Sequence, residues 1–574
     1  MSSTQDLAVA PNPVVGTLKP SSPGRLRYPI DLRLDANEAL APAPGMAAAL
    51  SSAAELNRYP ERAEFEAQIA ALHGVAPEQV LVTAGADDAL ERAIRAVCAP
   101  GRQAILTAPS FEMLSRYARL AGAAVTELEW WRDDWPVDAA LAAASERTAV
   151  VTVVSPNNPT GAVVSRATLE RLATALPRAL ILLDHAYAEF ARENLTRTAL
   201  AFPNAVVFRT FSKAWGAAGL RVGYAVGDAR VIGWMRAVGQ PYAVAAPSLA
   251  AAGRLLELAP EPPPPALDRV LRQRARLAEL LAELGAETLP SQGNFVLTRP
   301  RDAEWLRTGL AALGIGIRAF AGHRLLADWV RITVPGDDLA WQRLEAGLRT
   351  VLAPEALLLD MDGVLADVSG SYRRAIVETA ASFGVEISAG DIGRAKAAGD
   401  AANDWLLTRR LLAEAGVDAE LATVTDRFEA LYQGAAGRPG LYRQERPRFA
   451  RETLERLAAA RPLAVVTGRP RADAERFLAE QGLDGLFATV VTMEDAAPKP
   501  DPAPVRLALE RLGARHAWML GDTPDDVRAA RGAGVLPLAV PAPGEDRGAC
   551  RAVLLAAGAA AVLDRPDDLE ELLS

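Results

Sequence analysis

The sequence contains few cysteines and no long run of charges of one sign. Its 574 residues include only Cys98 and Cys550, which lie far apart and outside any CxxC pair. This excludes a cysteine metal site or a disulfide framework and predicts reduced thiols in a cytoplasmic protein. The formal net charge is −9. Because no basic run is present, neither nucleic acid nor an anionic membrane is expected as a partner.

Signals for export and for membrane insertion are also missing. No apolar stretch reaches the roughly 20 residues that a membrane-spanning helix needs. The opening segment MSSTQDLAVAPNPVV lacks the charged-then-apolar pattern of a secretory signal. Proline, serine and glycine dominate up to Arg25, which predicts a flexible arm over residues 1–25. A chain of this length is too long for one core and is expected to form roughly three to four folding units. Half of all residues are hydrophobic, so each unit can bury a normal interior.

Short β-branched runs alternate with amphipathic helical stretches, a pattern typical of parallel α/β sheets. In the first part, strands are predicted at QVLVTAG, AILTAP, AVVTVVS, LILLD and VVFRT, with helices such as DDALERAIRAV between them. The proline-rich run APEPPPP (259–265) predicts a break between a large domain and a smaller one.

A second α/β unit is predicted over residues 355–574. Pro354 marks a short junction, and a fresh strand, ALLLD, begins at Ala356. Residues from about 373 to 448 lose the strand pattern, so an all-helical insertion is expected there. PLAVVT, ATVVT, HAWML and PLAV then resume the sheet.

Lys213 lies in TFSKAWGAAGLR, directly after VVFRT. A lone lysine there is most simply a solvated side chain, but Thr210 and Ser212 precede it and Arg221 follows it. Hydroxyls and a guanidinium hold a phosphate group, and a lysine beside them can form a Schiff base. GADDAL, from Gly85, adds a glycine-led turn at a helix start, where backbone N–H groups bind anions. These segments predict a phosphate cradle beside a reactive lysine.

Asp184 ends the run LILLD, and Tyr187 follows it in DHAY. A carboxylate beside a pyridine nitrogen keeps that ring protonated, so that the ring can accept electrons from a substrate carbanion. Tyr187 and Asn158, from SPNNPTG, offer hydrogen bonds to a phenolic oxygen on such a ring. Taken singly, DHAY and SPNNPTG are equally typical of a strand-end turn and a proline-rich turn.

Together these segments resemble the fold-type I pyridoxal-phosphate aminotransferases, specifically the histidinol-phosphate aminotransferase branch. The motifs that carry the resemblance, in the family's order, are LDANEAL, YPE, GADDAL, PSFEML, SPNNPTG, DHAY, TFSKAWGAAGLR, SQGNF and VRITV. The resemblance implies an aminotransferase over residues 26–353. Its large domain, with a mixed or parallel sheet, would cover about 45–258, and its small domain 26–44 and 266–353.

The resemblance also implies roles for the residues that match the family's motifs. Lys213 would be the Schiff-base lysine and proton shuttle, and Asp184 the partner of the pyridinium nitrogen. Tyr187 and Asn158 would bind the phenolic oxygen, and Phe111 would stack on the ring. Expected around the cofactor phosphate are Ala86, Asp87, Thr210, Ser212 and Arg221.

Two arginines and an asparagine are expected to bind the substrate. Arg331, in VRITV, matches the family's arginine for the substrate carboxylate, and Arg318, in GIGIR, matches its arginine for the substrate phosphate. Asn37 lies in LDANEAL. A guanidinium suits both anions, here glutamate, which leaves as 2-oxoglutarate, and imidazole acetol phosphate. A surface ion pair is the alternative for either arginine. Tyr59 matches a tyrosine that reaches the neighbouring subunit's cofactor, which implies a homodimer.

The second unit opens with ALLLDMDGVLAD, in which a predicted strand delivers Asp360 and Asp362. Carboxylates so close repel each other unless a cation or a shared proton offsets them, and Mg²⁺ suits an all-oxygen site with phosphate. Asp360 would attack phosphorus, and Asp362 would protonate the leaving alkoxide and later activate water. Thr467 and Lys499 would contact the phosphoryl group. The expected metal ligands are Asp360, Asp362, Asp522 and Asp526.

This part resembles the haloacid-dehalogenase superfamily of phosphatases, in the subgroup with a helical cap after the first motif. The resemblance covers residues 356–574, and the stretch 373–448 would be the cap on a Rossmann-like domain. Aspartate at both Asp360 and Asp362 favours phosphotransfer over dehalogenation.

The joined motifs predict a bifunctional enzyme of histidine synthesis. The first half would make L-histidinol phosphate, and the second would release histidinol and phosphate. Three alternatives stay open. The aminotransferase acts on another phosphorylated or aromatic keto acid, the phosphatase is a general housekeeping hydrolase, or the C-terminal domain has only a structural or sensor role.

Overall fold

The computed structural model describes residues 14–15, 28–41, 57–258, 264–399, 403–435 and 437–573. The chain divides into two compact units. The first consists mainly of Arg33–Glu304 and Ile317–Gln342. The second consists of Trp305–Gly316 and Arg343–Ser574, with the short segment that ends at Leu32. Most of the arm expected over 1–25, and residues 259–263 of the proline-rich break, lie outside the described residues.

Between Tyr28 and Leu352 the described residues form twelve strands and eleven α-helices. The strands are β1 (Leu32–Leu34), β2 (Val80–Thr83), β3 (Gln103–Ala108), β4 (Ala124–Glu129), β5 (Thr148–Val154), β6 (Leu180–Asp184), β7 (Ala205–Thr210), β8 (Gly223–Gly227), β9 (Glu287–Thr288), β10 (Phe295–Arg299), β11 (Ile315–Ala319) and β12 (Val330–Thr333). The helices are α1 (Ala63–His73), α2 (Ala86–Val97), α3 (Glu112–Leu120), α4 (Val137–Ala143), α5 (Arg166–Ala175), α6 (Thr196–Leu200), α7 (Ala229–Val238), α8 (Ala246–Leu258), α9 (Pro264–Glu283), α10 (Ala303–Ala312) and α11 (Asp338–Leu352).

A seven-stranded sheet of order β2-β8-β7-β6-β5-β3-β4 forms the centre of the first unit. Its neighbours are parallel except at β8, which is antiparallel to β2 and β7. The strand β5 is buried along its whole length, because helices cover both faces of the sheet. Alternation along β6 places Leu182 in the core on one face and Ile181 and Leu183 in the core on the other.

The register of the sheet aligns the ends of β6 and β7. Asp184 pairs with Phe208, and the turn that carries Lys213 begins after Thr210. The carboxyl ends of parallel strands share one edge, where α/β folds bind their ligands. A second sheet, of order β1-β11-β12-β10-β9, carries Arg331 on β12.

From Ala356 onward the described chain forms ten strands and ten helices. The strands are β13 (Ala356–Leu359), β14 (Ala366–Asp367), β15 (Gly434–Ala435), β16 (Arg438–Pro439), β17 (Arg446–Pro447), β18 (Leu463–Val466), β19 (Thr489–Val491), β20 (Ala517–Gly521), β21 (Leu536–Ala539) and β22 (Ala561–Val562). The helices are α12 (Tyr372–Ser382), α13 (Ala389–Ala398), α14 (Asp404–Glu414), α15 (Leu421–Tyr432), α16 (Arg451–Ala460), α17 (Arg471–Glu480), α18 (Ala503–Leu512), α19 (Pro524–Gly532), α20 (Arg547–Ala557) and α21 (Leu569–Leu573).

The second unit is built on a parallel sheet of order β19-β18-β13-β20-β21-β22. Since β13 lies between β18 and β20, the residues after these three strands meet at one edge. Asp360, Thr467 and Asp522 therefore converge from separate parts of the sequence.

Four helices, α12 to α15, form the insertion between β14 and β17, and this pair of short strands closes its base. The insertion is not all-helical, because β15 and β16 form a small antiparallel ladder. Strands of two residues carry no alternation for a sequence pattern to detect. Gly434, with φ 91°, and Gly437, with φ 83°, allow the tight turn. None of the described helices is long and apolar enough to cross a membrane.

Candidate active sites

In the first unit a cavity of about 510 Å³ opens at the carboxyl edge of the large sheet. It brings together the predicted cofactor residues other than Tyr59, and two of the three predicted substrate residues. The predicted residues that line it are Asn37, Ala86, Asp87, Phe111, Asn158, Asp184, Tyr187, Thr210, Ser212, Lys213, Arg221 and Arg331. Ala36, Glu38, Ala186, Ala218 and Gly219 complete its wall.

Asp184 is 6 % exposed at the end of β6. Its Oδ1 accepts a hydrogen bond of 3.2 Å from the backbone N–H of Ala186. Burial, reinforced by the charge of Asp87, raises the pKa of Asp184 to about 7. A buried carboxyl with so little support fits a cationic partner in the cavity, and a protonated ring nitrogen is such a partner.

Lys213 and Tyr187 face the same space. The Lys213 Nζ donates to the carbonyl oxygen of Ala36 at 3.1 Å and lies 5.8 Å from the centre of the Tyr187 ring. The Asn37 side-chain amide donates to the Tyr187 hydroxyl at 3.0 Å. The Thr333 hydroxyl fixes Asn37, since it accepts from the Asn37 backbone N–H at 3.0 Å and donates to Asn37 Oδ1 at 3.1 Å. Sequence reasoning missed Thr333, because its partner lies far away along the chain.

The residues of the predicted phosphate cradle come together where the turn after β7 meets the start of α2. The Thr210 hydroxyl lies 2.9 Å from the Ser212 hydroxyl, and the Arg221 Nη1 lies 3.4 Å from the Ser212 oxygen. Gly85 has φ 85°, and a Cβ there would lie 2.7 Å from the Arg221 guanidinium. Gly223 lies equally close to the first turn of α2, since its Cβ would be 2.4 Å from the Ala86 nitrogen. These glycines allow hydroxyls, the guanidinium and helix N–H groups to come close together, an arrangement that suits an anion.

Arg331 is buried in the wall of the same cavity. Its Nη1 donates to Asn158 Oδ1 at 2.5 Å and its Nη2 to the carbonyl oxygen of Asp35 at 2.7 Å. Burial lowers the pKa of Arg331 to about 10, so it stays cationic near neutral pH. Its buried Nε has no hydrogen-bond partner among the described residues. A buried cation with a spare donor fits an anionic substrate group.

Arg318 and Tyr59 lie elsewhere in the described structure. Arg318 pairs with Arg331 across β11 and β12, and its guanidinium carbon is 5.6 Å from the centre of the Phe320 ring. Tyr59 is 75 % exposed and stacks on Tyr242 at 4.4 Å. Their predicted roles in phosphate binding and in a dimer stay predictions.

His185, next to Asp184, is a packing residue. Its Nε2 accepts from the backbone N–H of Leu195 at 3.1 Å, which leaves Nδ1 to donate to the Ser155 carbonyl oxygen. Burial and the charge of Arg209 lower the pKa of His185 to about 3. The neutral ring therefore ties β6 to neighbouring loops.

In the second unit, Lys499 joins two of the predicted metal ligands. Its Nζ donates to Asp360 Oδ1 at 2.7 Å and to Asp526 Oδ1 at 2.5 Å. Carboxylate oxygens of Asp360, Asp522 and Asp526 lie within 4.8 Å of one another. Burial raises the pKa of Asp360 to about 7 against the opposing charge of Lys499. Burial and the charges of Asp360 and Asp526 also raise the pKa of Asp522.

Three carboxylates around one ammonium leave an excess of negative charge, which a divalent cation would offset. The backbone at Gly363 packs closely against one of these carboxylates, because a Cβ there would lie 2.0 Å from Asp522 Oδ2. Thr523 caps α19 and donates to Asp526 Oδ2 at 2.6 Å. The donor set therefore fits Mg²⁺.

Asp362 differs from the other predicted metal ligands, because its carboxylate lies on a guanidinium. Arg469 Nε donates to Asp362 Oδ1 at 2.6 Å, and its Nη1 donates to Glu445 Oε2 at 2.8 Å. Thr467 directly follows β18, and its hydroxyl accepts from the Arg469 backbone N–H at 3.1 Å. Sequence reasoning missed both Arg469 and Glu445. The TGR that follows PLAVV was a local signal for the arginine, but nothing local marks the glutamate.

Cations of the insertion also reach this part of the unit. The Lys396 Nζ, on α13, lies 3.2 Å from Asp404 Oδ1, and Arg373, on α12, pairs with Glu545. Burial lowers the pKa of Lys396, but the charge of Asp404, with smaller contributions from Asp522 and Asp362, raises it above its ordinary value. These partners come from separate segments of the chain, so no spacing in the sequence indicated them.

Among known proteins, the chain is similar to a histidinol-phosphate aminotransferase of Ruegeria pomeroyi, with 36 % identity over 331 residues, 56 % of this chain and 89 % of that protein. It is similar to an aromatic amino acid aminotransferase of Mycobacteroides abscessus, with 35 % identity over 335 residues, 56 % and 93 % of the two chains. It is 47 % identical over 197 residues to an imidazoleglycerol-phosphate dehydratase of Phytophthora nicotianae. That match spans 33 % of this chain and only 44 % of the relative.

Among solved structures, the histidinol-phosphate aminotransferase of Sinorhizobium meliloti in complex with pyridoxal-5'-phosphate has the same fold. The TM-score is 0.53 at 24 % identity, with 60 % of this chain and 98 % of that chain covered.

Two family models match consecutive parts of the chain. Residues 354–534 match the haloacid dehalogenase-like hydrolases, and residues 30–342, more than half of the chain, match aminotransferase class I and II. The chain therefore belongs to the class I and II aminotransferases and carries a haloacid dehalogenase-like hydrolase domain in the same polypeptide.

Proposed function

We propose that this protein is a bifunctional enzyme that performs two consecutive steps of histidine synthesis. The first unit transfers an amino group from glutamate to imidazole acetol phosphate and forms L-histidinol phosphate. The second hydrolyses that ester to histidinol and phosphate. The observation that carries the proposal is the assembly, within one chain, of both the lysine cavity and the aspartate cluster.

Pyridoxal phosphate is the proposed cofactor of the first site, where it supplies an electron sink for a substrate carbanion. Asp184 would hold its ring nitrogen protonated, and Tyr187 would hold its phenolic oxygen. Its phosphate would lie at Ser212, Arg221 and the start of α2, and Phe111 would stack on the ring. Lys213 would remove and return the proton at the substrate carbon.

The buried cation of Arg331 supports an anionic substrate. With Nε unsatisfied and Nη1 on Asn158, it offers a bidentate site for a carboxylate or a phosphate. Glutamate and the phosphorylated acceptor would use this site in turn. Arg318, on the neighbouring strand, is the proposed contact for the phosphate, and Tyr59 the proposed contact between two subunits of a homodimer.

In the second site, an Asp360 oxygen would form a bond to phosphorus while the bond from phosphorus to the ester oxygen breaks. Asp362 would give its proton to the leaving alkoxide and then take one from the water that releases phosphate. Lys499 and Thr467 would neutralise charge on the phosphoryl oxygens. Mg²⁺, held by Asp360, Asp522 and Asp526, would offset the remaining negative charge.

The names of the relatives support an imidazole substrate, because one acts on histidinol phosphate and another on imidazoleglycerol phosphate. A second candidate is an aromatic keto acid, favoured by the aromatic amino acid aminotransferases at a similar identity. Under that alternative the phosphatase has its own, separate substrate.

The test supplies the full-length protein and pyridoxal phosphate with imidazole acetol phosphate, glutamate and Mg²⁺, and follows the products by mass. Histidinol with free phosphate is expected. Asp360→Asn should stop the two-step reaction at histidinol phosphate, and Lys213→Ala should prevent formation of any amino product. Accumulation of histidinol phosphate by the unaltered protein would separate the two activities. Faster amination of phenylpyruvate would favour the aromatic alternative.

A further inference from the structure

Arg469 is an unusual residue of the second unit, because its charge lies within the protein. Its side chain is 1 % exposed and bridges Asp362 and Glu445. The rings of Tyr372 and Phe477 lie 4.9 Å and 5.5 Å from the guanidinium carbon. Burying an ion pair is costly, so a network of this kind indicates a role other than stability.

Glu445 connects this arginine to both ends of the helical insertion, where the chain enters it and leaves it. It accepts hydrogen bonds from the Ser371 hydroxyl at 2.8 Å and the Tyr432 hydroxyl at 3.1 Å. Ser371 directly precedes α12, and Glu445 directly precedes β17, so they mark the two ends of the insertion. Side chains of all three are essentially buried. We call these two ends of the insertion, at Ser371 and Glu445, its hinge. The hinge and Arg469 therefore form one hydrogen-bonded network.

We propose that Arg469 is a positioning residue that aims Asp362 at the leaving oxygen and ties this aim to the hinge of the helical insertion. The proposal rests on the phosphatase function proposed above. Arg469 would not touch the substrate. It would fix the direction of the Asp362 carboxyl, while Glu445 fixes the direction of the guanidinium.

The two bonds to Arg469 have different consequences for the reaction. The bond to Asp362 determines whether a proton donor lies next to the ester oxygen. The bond to Glu445 determines whether the guanidinium keeps its place. Neither bond involves Asp360 or Lys499, so attack on phosphorus and charge neutralisation do not need Arg469. Loss of Arg469 should therefore slow departure of the leaving group only where the leaving oxygen must be protonated, whereas the later hydrolysis of the aspartyl-phosphate, which also uses Asp362, is common to all esters.

Leaving groups of different basicity separate this role from a structural one. An alkoxide is a strong base and leaves only when protonated, whereas p-nitrophenolate leaves without a proton. The experiment measures kcat and KM of the full-length Arg469→Gln protein, in Mg²⁺, for histidinol phosphate and for p-nitrophenyl phosphate. The expected kcat/KM, which reports the steps up to departure of the leaving group, falls about 100-fold or more for the alkyl ester and less than about 5-fold for the aryl ester. Equal falls in kcat/KM for both esters would overturn the proposal.

A matched control is Arg476→Gln. Arg476 also lies beside the insertion, where it pairs with Asp473 at 2.7 Å and lies over Tyr442 at 4.1 Å. Its replacement should leave the ratio of the two kcat/KM values unchanged. Transaminase activity of the same preparations monitors the first unit.

Arg469→Gln leaves Glu445 buried without its cation, which can prevent folding. The double variant Arg469→Gln/Glu445→Gln removes both charges and keeps acceptors for Ser371 and Tyr432. It should show the same selective loss. Glu445→Gln alone should give a smaller loss, again confined to the alkyl ester. A double variant that hydrolyses both esters like the unaltered protein would also overturn the proposal.

Failure of the phosphatase assignment has a different signature. If the unaltered protein releases no phosphate from either ester, or if Asp360→Asn keeps its activity, the proposed function fails and this inference with it. If Asp360→Asn is inactive on both esters and Arg469→Gln slows both equally, only the role of Arg469 is wrong.

Discussion

At the scale of single residues, the first site depends on a carboxyl group that burial disfavours as an anion. Asp184 has a pKa of about 7 because it is buried beside Asp87. In the unfolded chain the same group ionises near its ordinary pKa of 3.8. Its contribution to stability is therefore retained below that value and lost as the pH rises to about 7. A cationic ligand would remove this penalty.

Asp184→Asn should stabilise the cofactor-free protein at pH 8 by at least about 1 kcal/mol, with the difference vanishing near pH 4. Unfolding by urea across that pH range measures it. The same change should lower transamination about 100-fold or more, because the ring nitrogen loses its anionic partner. Glu38→Gln, at the wall of the same cavity, provides the control. A constant stability difference at all pH values would contradict the assignment.

For the aspartate cluster of the second unit, we expect stabilisation by Mg²⁺ to increase as the pH rises. Mg²⁺ must displace protons from groups whose pKa is raised, about 7 for Asp360, and also raised for Asp522. Addition of Mg²⁺ should therefore raise the melting temperature at pH 8 and much less at pH 5.5. Scanning calorimetry with Mg²⁺ or EDTA measures this shift. Asp522→Asn should reduce the shift at pH 8, and an equal shift at both pH values would argue against these ligands.

Many site residues could be predicted because they directly follow strands. Asp184, Asp360 and Thr467 each end or follow a short apolar run, and parallel strands bring such positions together. The contacts that orient them could not be predicted. Arg331 meets Asn158, and Arg469 meets Glu445, across separations that only the folded chain defines.

At the scale of elements, buried strands were the easiest to predict. The runs AVVTVVS and LILLD correspond to β5 and β6, and ALLLD to β13. The edge strand β4 has a half-exposed, polar pattern, and β8 begins and ends with glycine, so neither gave a clear apolar run. Strand signals depend on burial on both faces, and they fade at edges and where glycine replaces a side chain.

The capping of α19 connects this helix to the aspartate cluster of Asp360, Asp522 and Asp526. Thr523 and Asp526 form a reciprocal capping box, in which the Asp526 carboxylate also faces Lys499. Thr523→Ala should cost about 1 kcal/mol of stability and should also weaken Mg²⁺ binding, because Asp526 loses a hydrogen bond. Calorimetric titration with Mg²⁺ measures the second effect.

Ser388→Ala is the matched control, since Ser388 forms the same capping box with Asp391 at the start of α13. It should cost similar stability and leave Mg²⁺ affinity unchanged. If both variants bind Mg²⁺ equally well, the cap of α19 does not orient a ligand.

At the scale of the whole molecule, the boundary in the sequence and the boundary in the structure differ. The motifs indicate a junction at Pro354, but the second unit includes Trp305–Gly316 and Arg343–Leu352 as well. Trp518, on β20, donates to the carbonyl oxygen of Thr350 at 2.7 Å, and its ring lies 5.2 Å from that of Trp305. His516 meets the Thr350 hydroxyl at 3.1 Å.

A protein truncated after residue 353 should therefore be less stable than the full chain, because Trp305 and the end of α11 lose this cover. Its aminotransferase transition should melt at least about 3 °C lower, which corresponds to the loss of roughly 2 kcal/mol for a domain of this size. The full-length Trp518→Ala protein should show part of the same decrease. An unchanged melting temperature after truncation would mean that the two enzymes fold independently.

The position of Trp518 also limits how this polypeptide can be recombined. A chimaera with its crossover at Pro354 would receive a foreign partner with no indole to meet Thr350 and Trp305. A workable exchange would have to carry α10 and the end of α11 along with the incoming hydrolase, or redesign their outer faces. The two domains can therefore be exchanged only at a boundary that includes these segments, and the linear sequence does not mark that boundary.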